Sequence, residues 1–129
     1  MDLMPAQVVS FLDTHVPSLE TLLVLVACID GKDRWWDAGG MARRTGIPVA
    51  QTRRALDTLA RRNLLDIRIT GDVRYQFAPA QPAVREAALA CAAAYRAQPI
   101  TVVKRIVDAS ARTGRDFADA FRIRRDDES

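Results

Sequence analysis

One histidine and two cysteines are all that 129 residues supply of the side chains most used for metal binding and nucleophilic catalysis. His15 alone anchors neither a multi-histidine metal site nor a Ser-His-Asp triad. A half-buried histidine is the ordinary reading of it. Cys28 and Cys91 fall in separate apolar segments with no CxxC spacing, so free buried thiols are expected, with a redox pair as the alternative. No glycine-rich loop follows a strand to cradle phosphate. Asp126-Asp127-Glu128 is an acidic tail end rather than a carboxylate pair held for acid–base work. These absences predict neither a metal nor a cofactor, and a chain that is not an enzyme. The longest apolar run, Leu22 to Ile29, is far short of the ~20 residues that span a bilayer. The first residues lack a basic region followed by a small-residue cleavage site, so the expected location is cytoplasmic and no membrane partner is expected.

Apolar residues make up 49% of the chain, enough for a globular domain with a core. Net charge is only +3, but it is unevenly spread. Residues 1–33 have one lysine against five acids. Residues 34–74 have nine arginines against Asp37, Asp57, Asp66 and Asp72, a surplus of five. Residues 75–129 have nine basic groups against seven acidic ones. Positive charge therefore collects in the middle of the chain, and there it is all arginine. The guanidinium fork suits phosphate and guanine edges.

Periodicity predicts mainly helix. Val8, Phe11, Leu12 and His15 mark a first helix from Pro5 to Val16. Pro17 breaks it. Ser18 is placed to cap a second helix, Leu19 to Asp30, apolar almost all round and so buried on more than one side. Gly31 closes it. Arg34-Trp35-Trp36 suits a short third strand; the tryptophans either pack and pair there or form an effector pocket. Asp37 is placed to cap a helix ending near Thr45, with Gly39 and Gly40 in its first turn. Each glycine costs roughly 1 kcal/mol relative to alanine, so a late or mobile helix start is expected. Gly46 fits a left-handed residue past the helix end, and Pro48 opens the next helix.

That next helix, 49–62, turns Thr52, Ala55, Leu56 and Leu59 inward and Ala50, Gln51, Arg53, Arg54, Asp57 and Arg61 outward. Two half-buried strands follow, with Leu65, Ile67, Ile69, Val73, Tyr75 and Phe77 on the inner face. For Ile69 to pair with Val73 and Ile67 with Tyr75, the loop must hold an odd number of residues. Thr70-Gly71-Asp72 satisfies this and keeps the hairpin short. An alanine-rich helix, Pro82 to Ala97, repeats Val84, Ala88, Cys91 and Tyr95, and packs either within the monomer or across a two-fold axis. Pro99 opens a helix to about Ala109 with Val102, Val103, Ile106 and Val107 as its apolar set. Asp116 to Ile123 forms a last helix, and Arg124 to Ser129 a frayed tail.

The segment Gly46-Ile47-Pro48-Val49-Ala50-Gln51-Thr52-Arg53-Arg54-Ala55-Leu56 resembles the turn and recognition helix of bacterial winged helix-turn-helix regulators, such as MarR-like proteins. Ala42, four residues before Gly46, and Asn63-Leu64-Leu65 at the exit into the wing extend the resemblance over about residues 18–78. Asn63 stands where glycine is usual and tolerates the left-handed conformation. The ending Phe117-Ala118-Asp119-Ala120-Phe121-Arg122 is similar to that of small bacterial proteins of the same type.

The resemblance implies a mainly α fold with a small β-hairpin wing: an N-terminal helix at 1–17, a winged helix-turn-helix domain at 18–78, a helical extension at 82–123 suited to dimerisation, and a tail at 124–129. It implies a sequence-specific transcriptional regulator that binds duplex DNA as a homodimer. Helix 49–62 would lie in the major groove and the wing at 65–77 beside it. By position, Ala50, Gln51, Arg53 and Arg54 would face bases. Arg43, Arg44, Arg61 and Arg62 would serve the DNA backbone, with Arg68 and Arg74, on the outward face of the wing, reaching the backbone or the minor groove. Asp57 would pair with Arg53 or accept from a cytosine amino group. An exposed arginine helix is also, often, only a solvated face. The alternative function is a winged-helix adaptor that binds a protein partner and no DNA.

Overall fold

A computed structural model of the chain describes residues 4–109 and residue 111. The helix expected at 116–123 and the tail at 124–129 lie outside the described residues. The rest is mainly helical with one antiparallel hairpin between helices, a winged-helix-like arrangement. The order is α1 (Ala6–His15), α2 (Leu19–Asp30), α3 (Ala38–Thr45), α4 (Val49–Arg61), β1 (Leu65–Ile69), β2 (Val73–Phe77) and α5 (Pro82–Ala97). A further helix, α6, occupies residues 99–109.

The core is built around α2. Ser18 caps it by accepting from the Thr21 amide at 3.2 Å. Eight of its residues, Thr21, Leu22 and Val24 through Ile29, are buried. This is why a helix without a wide polar stripe is stable here: α3, α4, α5 and β2 all pack against it. Gly31 ends α2 without a left-handed backbone, its φ being −111°. Its role is space. A Cβ there would stand 3.0 Å from the Trp36 ring.

The α3–α4 turn follows directly from its sequence. Gly46 takes the left-handed conformation, φ 78°, and its amide donates to the Ala42 carbonyl at 2.8 Å. Thr45 donates to the Met41 carbonyl, and the buried Thr52 hydroxyl lies 3.2 and 3.1 Å from the Ile47 and Pro48 carbonyls. Polar groups that the turn would otherwise bury unpaired are thereby satisfied. Thr52, Ala55, Leu56 and Leu59 form the buried face of α4, as their spacing predicts. Asn63 is left-handed, φ 63°, where the chain leaves α4 for the hairpin.

The expected late start of α3 is corrected. The helix begins at Ala38, because Asp37 accepts from the Gly40 amide at 2.6 Å. The two glycines are not equivalent. A Cβ on Gly40 would sit 2.8 Å from that Asp37 oxygen, whereas one on Gly39 meets nothing nearer than the Arg43 guanidinium at 3.7 Å. Gly39→Ala is expected to raise stability by up to about 1 kcal/mol through helix propensity. In Gly40→Ala that gain is cancelled by loss of the cap, worth about 1 kcal/mol. Urea midpoints of the two variants, side by side, measure the difference.

The hairpin has the register argued from loop parity: Ile69 opposite Val73 and Ile67 opposite Tyr75. Gly71 supplies the positive φ, 101°, that the three-residue loop needs. The third strand is a single bridge, in which Trp36 and Tyr75 exchange both backbone bonds at 2.7 and 2.8 Å. The expected half-burial of the strands fails toward the tip. Leu65, Tyr75 and Phe77 are buried, but Ile67, Ile69 and Val73 are exposed. Among the described residues the protein body ends before the hairpin does, and none of them covers that part of the inner face.

The alanine-rich α5 packs within the monomer, chiefly on α1, through Ala88, Cys91 and Ala92. Arg96 is bonded to Asp30, and Arg105 of α6 meets Asp13 of α1 at 2.7 Å. The apolar set expected on α6 is divided, with Val102 and Ile106 buried but Val107 exposed together with Ile100. His15, half-buried, stacks on Phe11 with ring centroids 4.8 Å apart, and burial lowers its pKa. Among the described residues no single helix is long and apolar enough to cross a bilayer; α1 and α2, read as one pair, are bent by 114°.

Cys28 and Cys91 are free and buried. Burial pushes both thiols up to about 12, and burial with a hydrogen bond to Asp57 does the same for Tyr75. As pH rises past the ordinary thiol value, the unfolded chain loses these protons while the folded chain keeps them. The unfolded state then binds fewer protons, so stability must fall. Stability that is full below about pH 8.5 is expected to decline steadily toward pH 12. Melting temperatures across that range check it, and Cys28→Ala/Cys91→Ala should flatten the decline. At neutral pH both thiols should react with a disulfide reagent only as fast as the protein opens.

Candidate nucleic-acid interface

The exposed face of α4 lies opposite its buried one, and Ala50, Gln51, Arg53, Arg54 and Arg61 are all exposed on it. With 3.6 residues per turn, Ala50, Arg54 and Arg61 run along the middle of that face, Arg53 flanks it on one side and Gln51 on the other. No hydrogen bond or ion pair holds the side chains of Arg53 or Arg54 among the described residues. Arg61 is only 3.4 Å from the Thr58 hydroxyl. The helix thus presents free guanidinium groups on a rigid element whose other side is the protein core.

Two neighbours frame this face. On the Gln51 side lies the N-terminus of α2. There Pro17, Ser18, Glu20 and Thr21 together with Gln51, Arg54, Ala55 and Thr58 line a depression of about 330 Å³. The positive end of a helix dipole and Arg54 share it, with Glu20 opposing them. On the other side lies the wing. The Tyr75 hydroxyl donates to Asp57 at 2.5 Å and fixes α4 against β2. Arg53 stands close enough to Tyr75 that its charge opposes the rise in the tyrosine's pKa.

This link gives Asp57 a partner the sequence did not suggest. Its carboxylate is half-buried and accepts from Tyr75 through one oxygen, and no ion pair joins it to Arg53 among the described residues. No local sequence signal points to this, because the partners are eighteen residues apart.

The other six arginines named from the sequence do not form one patch. Arg61 stays with the α4 face. Arg62 is bonded to the Thr14 carbonyl, which turns it to the end of α1 and away from the helix face. Arg43 folds back toward Gly39 and Gly40. Arg44 lines a depression with Leu23, Val26, Ala27 and Asp30, near the opposite end of α2 from the one beside Arg54. Arg68 and Arg74 are directly paired on the outer face of the wing. Arg68 lies over the Trp35 ring at 5.4 Å, and Arg74 meets Asp72 at 3.0 Å.

The two tryptophans thus divide their work. Trp35 carries Arg68 on the outer face, and Trp36 is buried in the bridge with Arg34 over its ring at 4.2 Å. Among the described residues no group of three or more His, Cys, Asp or Glu is placed to hold a metal ion. No protein family model matches the chain, and no curated protein or solved structure matches it either.

Proposed function

We propose that this chain is a sequence-specific transcriptional regulator of the MarR-like winged helix-turn-helix kind, which binds duplex DNA with α4 in the major groove and the short wing alongside. The observation that carries the reading is the outward face of α4, where Ala50, Arg53, Arg54 and Arg61 are exposed and Arg53 and Arg54 have no partner among the described residues. An α-helix fits the major groove, and an arginine there bonds two acceptors of one guanine. Gln51 makes the equivalent pair with adenine. Ala50, small and apolar, suits a thymine methyl. The α2 N-terminus beside Arg54 suits a backbone phosphate. Arg61, Arg68 and Arg74 then supply phosphate contacts, while the bond of Arg62 to Thr14, the fold-back of Arg43 toward Gly39 and the place of Arg44 near the far end of α2 leave them smaller parts.

The place of action is the cytoplasm, with the DNA. A homodimer matches a palindromic site. Since α5 is occupied within the monomer, the contact between copies falls to the exposed Ile100 and Val107 of α6. The adaptor reading draws on the same two residues, with a protein in place of the second copy. Titration of labelled genomic duplexes over a range of salt tests the main reading. Binding whose logarithm falls steeply and linearly with the logarithm of salt is the expected result. Absence of binding to any duplex, with one stoichiometric protein captured instead, rejects it in favour of the adaptor.

A further inference from the structure

One acid stands among the arginines that α4 turns outward. At about 100° per residue, Asp57 lies about 20° round the helix from Ala50 and about 40° from both Arg53 and Arg61, in the middle of the exposed face. It is the only acid in α4. Arg53 and Arg61 are each one turn away, the spacing at which a carboxylate and an arginine pair on a helix surface. No ion pair joins Asp57 to either of them, or to Arg54, among the described residues. Its side chain is bonded instead by the Tyr75 hydroxyl, which donates to Oδ1 at 2.5 Å. The other acids near the interface sit apart from it: Glu20 in the depression beside Arg54, Asp72 on Arg74, and Asp66 opposite Gln76 on the outer face of the wing.

Tyr75 is well fixed to hold this carboxylate. It is 3% exposed, and its amide and carbonyl are both bonded to Trp36, the residue before the cap of α3. The hydroxyl thus sets the Asp57 rotamer from a rigid point in the wing. It occupies one oxygen and leaves Oδ2 without a protein donor among the described residues, on a side chain that is half-buried rather than enclosed. The bond itself does not require a charge, since an amide oxygen also accepts from a hydroxyl, though less strongly. What only the carboxylate brings is a full negative charge and an acceptor with no donor. On a face offered to DNA, that charge opposes phosphates and the acceptor edges of guanine and thymine, and favours an amino group.

We propose that Asp57 is a specificity-determining residue and Tyr75 its positioning residue: Tyr75 keeps one carboxylate oxygen, and the other accepts from a cytosine amino group while the charge turns α4 away from sites that offer none. This rests on the DNA-binding reading and adds to it the means by which an arginine-rich helix avoids binding every duplex alike. Specificity is a difference of affinities, and a repulsive group serves it as well as an attractive one.

The probes are a duplex selected by the wild-type protein from a random-sequence pool, its single base-pair variants, and unrelated duplexes. Asp57→Asn keeps an acceptor for Tyr75 and removes the charge. It is expected to bind unrelated duplexes roughly fivefold more tightly, with the salt slope steeper by up to about one, and to lose about tenfold of discrimination at one cytosine. Tyr75→Phe keeps the ring, the backbone bridge and the charge. It is expected to lose discrimination at that same cytosine, while unrelated duplexes bind as weakly as before. Loss of a purely structural contact would instead weaken all duplexes in proportion and leave base preference alone. Melting curves verify that both variants are folded at the temperature of the titrations. If Asp57→Asn preserves both the base preference and the affinity for unrelated duplexes, the proposal is overturned and the DNA reading stands. Proportional weakening on every duplex overturns it too, by making the pair only a joint between α4 and the wing. Undiminished preference in Tyr75→Phe overturns the part given to Tyr75. Failure of the wild type to bind any duplex overturns the proposal together with the reading beneath it.

Discussion

Arg53→Ala/Arg54→Ala is expected to reduce affinity for the preferred duplex by at least about 30-fold, since each bidentate contact to guanine contributes about 1–3 kcal/mol. Discrimination between preferred and unrelated duplexes should fall with it. The fold should be unaffected. Both side chains are exposed, and no hydrogen bond or ion pair holds either among the described residues, so removing them leaves no buried group unpaired. Arg61→Ala/Arg68→Ala serves as the contrast. Those residues are assigned to phosphates, so their loss should weaken preferred and unrelated duplexes alike and lower the salt slope by about two. Fluorescence titrations on both kinds of duplex, at several salt concentrations, separate the two patterns. Unchanged affinity in the Arg53/Arg54 variant would remove α4 from the interface.

The parts of the fold that could be read from sequence are those decided by a few neighbouring residues. Gly46 is left-handed because the chain must reverse between two helices and no side chain obstructs it there. Ser18 and Asp37 cap because their side chains reach amides three residues on. The hairpin register followed from loop parity alone. The exposed face of α4 followed from helical period, since Leu56 and Leu59 must go inward and Arg54 and Arg61 then go outward.

What escaped was decided by residues distant in sequence. Alternation assigns Ile67 and Ile69 to the face of Tyr75, but whether anything stands opposite depends on how far the helices extend. Asp57 reads as an acid without a partner until Tyr75, eighteen residues on, is brought against it. Gly40 reads as a weak point in a helix until the Asp37 carboxylate is seen in the space its Cβ would take. Arg62 reads as a phosphate contact until the end of α1 arrives beside it. Exposed charge on one helix is legible locally; the destination of a long side chain at a helix end is not.

The wing's position depends on one buried ring. Trp36→Ala is expected to cost about 3–5 kcal/mol, a large part of the ~5–15 kcal/mol that holds a domain of this size. Its backbone bridge to Tyr75 survives the change, because alanine keeps the same amide and carbonyl. The loss is the indole itself, which fills the space left by Gly31, approaches Gly40 and lies beneath the Arg34 guanidinium. A cavity there separates the start of α3 from β2, and with them the helix-turn-helix from its wing. Trp36→Phe isolates the cause. It keeps an aromatic ring at the site and removes the indole N–H, which is buried without a partner among the described residues. Loss of an unpaired buried donor offsets part of the lost area, so the cost should fall to about 1 kcal/mol or less. Urea unfolding of both variants measures this. A cost below about 1 kcal/mol for alanine would show that the hairpin is held by the Asp57–Tyr75 bond and its own register rather than by the ring. In that case Tyr75→Phe, which breaks the bond and keeps the ring, should become the more damaging change to DNA affinity.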